Sequence, residues 1–278
     1  MKKPRLFAVL PTMLTLGNAV CGFGAITFAA KVGPTATYGN ELFIAGLLIF
    51  AAMICDMLDG SAARWTNQVS DFGGQLDSLC DAISFGIAPA FLMIQFTNHS
   101  NIKYQAFQPI FSYPDRLLWV ISALFLICAL LRLARFNVET DEEDAHDSFS
   151  GLPSPAAAGL VASFPIALSG LRGLARETES QEIAVWLIPA ARISLPLFTF
   201  VVACLMVSRI RYPHVFTKLF SGLRSRRHLI LLVFSIMTIL LVPEMAIPLV
   251  FLYFAFKPPI HALGLDILER RKTKKAGA

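Results

Sequence analysis

Six stretches of this chain, 12–31, 42–58, 75–96, 117–136, 152–171 and 186–207, are apolar for close to the ~20 residues that a helix needs to cross a bilayer. Composition fits that reading. The 278 residues are 55% hydrophobic and 15% charged, where a soluble domain carries about 25% charge. Inner Gly and Pro residues are tolerated in membrane helices. The chain is therefore expected to be an all-α integral membrane protein with a six-helix core. No segment reads as a soluble domain, and no internal repeat is visible.

Residues 229–256 form a seventh apolar stretch, with Arg224, Arg226 and Arg227 before it and Lys257 and the basic run 270–275 after it. If both flanks lie on one side, the stretch is a hairpin broken at Pro243-Glu244. Each half then covers only ~21–24 Å of the ~30 Å core. This divides the chain into a transmembrane core, 1–208, and a C-terminal part, 209–278. The latter holds a basic loop, the hairpin and a basic tail.

Lys and Arg in the loops set orientation. With the N-terminus in the cytoplasm, the outside holds Lys31, Lys103, Arg116, Arg172, Arg176 and Arg192, and the remaining basic residues of the 24 lie inside. The protein is thus expected to be a multi-pass protein of the cytoplasmic membrane. The net charge of +5 then reflects topology and attraction to anionic lipid, not nucleic-acid binding. Cys21, Cys55, Cys80, Cys128 and Cys204 lie in helical stretches without paired spacing, so they read as small apolar filler rather than disulfides or a zinc site. The stripe Gly17, Cys21, Ala25 and Ala29 permits close helix packing. The acidic run 139–144 reads as a solvated loop.

Against this background, Asp56, Asp59, Asp77 and Asp81 stand out. A carboxylate at membrane depth is costly and marks a functional site. Asp56, Asp59, Gly60, Ala63 and Arg64 are spaced by three and four, so they share a helix face. Gly73, Asp77 and Asp81 share another. The eight residues between Arg64 and Gly73 let the chain reverse, so the two faces can oppose each other. Hard carboxylate oxygens suit Mg²⁺, Mn²⁺ or Ca²⁺. Four acids without cations repel in a low dielectric. Two divalent ions would remove that cost and clamp a diphosphate.

A structural set of ion pairs is a poor alternative, since Arg64 alone cannot neutralise four acids. A cation pathway is a better rival, but the cluster lies toward one surface and carries Gly and Arg at ligand-ready positions. The five His residues are scattered in or beside loops, away from the acids.

The pattern Asp56-x-x-Asp59-Gly60-x-x-Ala63-Arg64, eight residues, Gly73-x-x-x-Asp77-x-x-x-Asp81 resembles the signature of the CDP-alcohol phosphatidyltransferase family at every fixed position. Residues 10–18, 77–89, 131–137 and 151–158 are similar to the serine-using, membrane-bound branch of that family. The likeness covers roughly the first 170 residues. Thr12 departs from it, since many members carry Asn after the Pro.

The resemblance implies a six-helix membrane core, often dimeric, with its site open to the cytoplasm. It implies metal binding by Asp56, Asp59 and Asp77, with Asp81 completing the metal site and acting as base. It implies Mg²⁺ or Mn²⁺, and donor contacts from Gly60, Ala63, Arg64, Ser70 and Gly73. CDP-diacylglycerol and L-serine are the substrates it implies, with membrane lipid around them. Arg132, Arg135 and Asn137 are candidates for an acceptor or anion pocket, beside the plainer reading of Arg132 and Arg135 as topology anchors. Glycerol 3-phosphate or inositol phosphate as acceptor, a membrane prenyltransferase and a cation-coupled transporter are the alternatives.

Overall fold

The computed structural model describes residues 6–32, 40–66, 70–99, 113–139, 148–177, 181–213 and 246–260. Among these the chain is almost wholly helical. The helices are α1 (Leu6–Ala30), α2 (Glu41–Thr66), α3 (Asp71–Asp81), α4 (Ala88–His99), α5 (Asp115–Glu139), α6 (Ser154–Glu177) and α7 (Gln181–Val207). A further helix, α8, spans Ala246–Ile260. Each of the six predicted spans is helical. α2 runs past Leu58, where its apolar stretch was expected to end, and so carries the first half of the acidic motif as helix.

α3 and α4 are joined without a break by a π-helical segment, Ala82–Ile87, into one rod. The amide of Ala88 bonds to Ile83 O, five residues back. Pro89 follows and has no N–H with which to return the ladder to four-residue spacing. Such π turns tend to accompany functional sites, because they re-aim the side chains around them.

Among the described residues, five helices are long and apolar enough to cross a membrane: α1, α2, the α3–α4 rod, α5 and α7. α6 and α8 have shorter apolar stretches. α6 does not have to meet lipid along its length. Ala157, Ala158, Leu160, Val161 and Ala162 are fully buried, so α6 is wrapped by protein. On one side it packs with α1, α2 and α4, on the other with α4, α5, α7 and α8. In lipid, helices associate by close packing more than by escape from water. The stripe of α1 serves that end: Ala25 and Ala29 are buried, and α1 lies along α2. The outward faces carry exposed Met13, Val20, Phe23, Trp119, Ile127 and Phe200, as lipid contact requires.

α8 falls in the second half of the stretch expected to form a hairpin. Phe251 packs on Phe50 at 5.6 Å and Phe256 on Phe198 at 5.8 Å. The first limb and the Pro243-Glu244 break lie outside the described residues. Between α5 and α6, β1 (Ser148–Ser150) pairs antiparallel with β2 (Arg211–Pro213), which follows α7. Gly151 leaves β1 with φ +84, and a Cβ there would fall 2.4 Å from Met206 O, so glycine is required. Leu152 N donates to Leu205 O (3.1 Å), capping the end of α7. Tyr212 is fully buried, and its hydroxyl donates to Ala255 O (3.0 Å), tying the ribbon to α8.

Candidate metal centre

α2 and α3 bring the acids together. Asp56 and Asp59 stand one turn apart on α2. α3 begins at Ser70, whose hydroxyl oxygen accepts from Gly73 N (3.1 Å) and caps the helix. That start fixes the rotation of α3 and delivers Asp77 to the α2 pair. One oxygen from each of Asp56, Asp59 and Asp77 lies within 4.8 Å of the others. Asp59 Oδ2 and Asp77 Oδ1 are buried and take no hydrogen bond. Three converging carboxylates, two of them with a buried, unpartnered oxygen, are unfavourable by themselves. The same arrangement is a hard-oxygen ligand set, so these residues fit a divalent cation.

Asp81 was expected among the metal ligands. It stands one turn beyond Asp77 and outside the group of three. It is 8% exposed, and its Oδ1 accepts from Asn18 Nδ2 of α1 at 2.8 Å. Asp81 thus has an amide partner on α1, while Asp59 meets the Thr15 side chain of α1 and the Gly60 backbone. Asn18 is fully buried, and its backbone oxygen accepts from Ser84 Oγ (2.9 Å) in the π segment. A Cβ at Gly22 would lie 2.3 Å from Ser84 Oγ, so glycine lets α1 and the π segment touch at this point.

A Cβ at Gly60 would meet nothing within 4 Å, so the space beside Asp59 is open. At Gly73 it would meet Ser70 Oγ at 3.1 Å, which couples that glycine to the cap. Ser70, expected at the donor, is seen here as the N-cap. Ala63 and Arg64 lie in the final turns of α2, and their side chains are outside the described residues. Arg132, Arg135 and Asn137 end α5. The Asn137 amide donates to Ser78 Oγ (2.9 Å), between Asp77 and Asp81. That bond places the end of α5 against the acidic helix, and Arg135 and Arg132 lie within two turns of it.

Asn18 and Ser78 were not singled out from the sequence. Asn18 carried a usable signal, a lone amide in an apolar helix. Ser78 did not, because a serine in a helix is commonplace.

Residues 8–194 match the family model described as CDP-alcohol phosphatidyltransferase. The chain is 30% identical over 257 residues to a CDP-diacylglycerol–serine O-phosphatidyltransferase of Helicobacter pylori, covering 92% of this chain and 85% of that protein. It is 35% identical over 149 residues to a protein of the same description from Bacillus subtilis, covering 53% and 70%. It is 32% identical over 216 residues to an archaetidylserine synthase of Methanothermobacter thermautotrophicus, covering 77% and 73%.

Proposed function

The chain belongs to the CDP-alcohol phosphatidyltransferase family, and from that premise we propose that it transfers a phosphatidyl group from CDP-diacylglycerol to the hydroxyl of L-serine. CMP leaves, and phosphatidylserine stays in the bilayer. The observation that carries this reading is the convergence of Asp56, Asp59 and Asp77 oxygens within 4.8 Å, in a membrane protein whose relatives bear that activity in their names.

The chemistry is a displacement at phosphorus. The serine hydroxyl oxygen bonds to the phosphorus that bears diacylglycerol. The bond from that phosphorus to the CMP phosphate oxygen breaks, and CMP takes the electron pair. The hydroxyl proton passes to Asp81. Asp56, Asp59 and Asp77 hold divalent cations, Mg²⁺ or Mn²⁺, and two ions suit the number of carboxylates. Such ions, when bound, supply charge neutralisation at the diphosphate. The four acids are thus split into three that hold metal and one that takes the proton.

Gly60 leaves room for the nucleotide side of the donor, and Ala63, Arg64, Ser70 and Gly73 are the further donor contacts of this reading. Arg64 is suited to hold a phosphate through its planar fork. Arg132, Arg135 and Asn137 receive the serine carboxylate. The basic loops put the N-terminus and this site on the cytoplasmic face of the cell membrane, and the protein works as a homodimer surrounded by membrane lipid.

Purified protein in detergent or nanodiscs, given CDP-diacylglycerol and Mn²⁺, should release CMP with L-serine. Release with glycerol 3-phosphate or inositol phosphate in place of serine would overturn the acceptor and keep the family chemistry. No release with any acceptor would overturn the enzyme reading.

A further inference from the structure

Asn18 is an expensive residue in its place. It is fully buried in a membrane helix, and its side-chain oxygen takes no hydrogen bond. A buried polar atom without a partner costs stability, whereas an apolar side chain of the same size would pack there more cheaply. Its amide nitrogen donates to Asp81 Oδ1 (2.8 Å). The opposite amide orientation would set two oxygens against each other, so the carboxylate fixes which way the amide faces.

The backbone at this point is fixed as well. Ser84 Oγ donates to Asn18 O, and Gly22 allows α1 to meet the π segment at Ser84. Asp81 is the residue from which that π segment departs. Asp81 is thus gripped twice from α1, by the amide directly and by the Ser84 contact three residues on. Among the other motif acids, Asp59 also meets α1, through the Thr15 side chain.

We propose that Asn18 is the positioning residue for the reaction's proton acceptor: its amide holds Asp81 Oδ1 and leaves Oδ2 to face the acceptor hydroxyl. This rests on the reading of Asp81 as the base. Asn18 bonds to Asp81 and not to Asp56, Asp59 or Asp77, so on this reading its effect falls on turnover and spares donor and cation binding. It also trades stability for that effect.

The test uses the full-length protein in nanodiscs, with Asn18→Leu as a near-isosteric apolar variant and Asn18→Ala as a second. Three quantities are read: kcat and donor KM from serine-dependent CMP release, and the rise in Tm on adding Mn²⁺. Expected are a fall in kcat of about 10²-fold, a donor KM and Mn²⁺-induced Tm rise within about twofold of wild type, and an apo Tm for Asn18→Leu at or above wild type. Combined with Asp81→Asn, Asn18→Leu should add little further loss, since both act through one group.

A folded variant with unchanged kcat would overturn the proposal. So would a loss of the Mn²⁺ effect in step with kcat, which would make Asn18 a support of the metal site. A lowered Tm in both variants, with normal turnover per folded molecule, would make it a packing residue. Wild-type protein that releases CMP with no acceptor would fail the functional reading instead, and the two failures are told apart by the wild-type lane alone.

Discussion

The Asn137 amide reaches from the end of α5 to the hydroxyl of Ser78 on α3 at 2.9 Å, joining positions 59 residues apart in the chain. Ser78 follows Asp77 directly, so α5 is held against the acidic helix at the level of the acidic cluster. The Arg-x-x-Arg-x-Asn segment of α5 thereby becomes part of the site's surroundings. Proximity in the bundle, which chain order does not reveal, makes Arg132 and Arg135 candidates for the acceptor's carboxylate.

Ser78→Ala removes that pin. A part-buried hydrogen bond of this kind contributes about 1 kcal/mol. The serine KM should rise about fivefold while the CDP-diacylglycerol KM stays put. An equal rise in both constants would show that the bond supports the fold as a whole rather than the acceptor side.

Asp77→Asn removes one of three converging carboxylates. In EDTA this variant should melt at or above the wild-type temperature, because like-charge repulsion has been relieved. It should also lose most of the Mn²⁺-dependent rise in Tm, and turnover should drop by at least about 10²-fold. Retention of the full Mn²⁺ effect would place the cation elsewhere.

Asp81→Asn leaves the group of three intact. Loss of a positioned general base costs about 10²–10⁴-fold in rate. Donor binding, followed by retention of CDP-diacylglycerol on the purified protein, should persist. Donor binding lost together with turnover would assign Asp81 to the ligand set.

Glycine substitutions separate space for ligand from space for helix packing. At Gly60 an added Cβ meets nothing within 4 Å, so Gly60→Ala should gain up to about 1 kcal/mol of helix stability. Its donor KM should nevertheless rise. At Gly22 the Cβ would fall 2.3 Å from Ser84 Oγ, and Gly22→Ala should destabilise by about 1–3 kcal/mol. Thermal melts of the two variants should shift in opposite directions.

Tyr212→Phe deletes the hydroxyl that donates to Ala255 O and leaves that carbonyl buried. The cost should be about 1–3 kcal/mol, read as a lower Tm with donor and serine KM unchanged.

The sequence by itself determined the membrane class, the six helical spans and the acidic motif. Each is written in local patterns: runs of apolar residues, and acids spaced by three and four on one helix face. The spacing around Asp56 and Asp59 was enough to put both on one side of α2, because helix geometry is the same wherever the helix lies.

Only the tertiary structure decided the rest. It set Asp81 apart from Asp56, Asp59 and Asp77 by giving it Asn18. It put Ser78 against Asn137, turned the α3–α4 rod through a π segment, and closed the α7 end with a two-stranded ribbon. These depend on which helices touch and at what rotation, and that is fixed by close contacts such as Gly22 on Ser84. No local pattern encodes a contact between residues 63 positions apart, as in Asn18 and Asp81. The acidic cluster was legible because acids in an apolar helix are costly, and their hydrogen-bond partners were not, because a neighbouring helix supplies them.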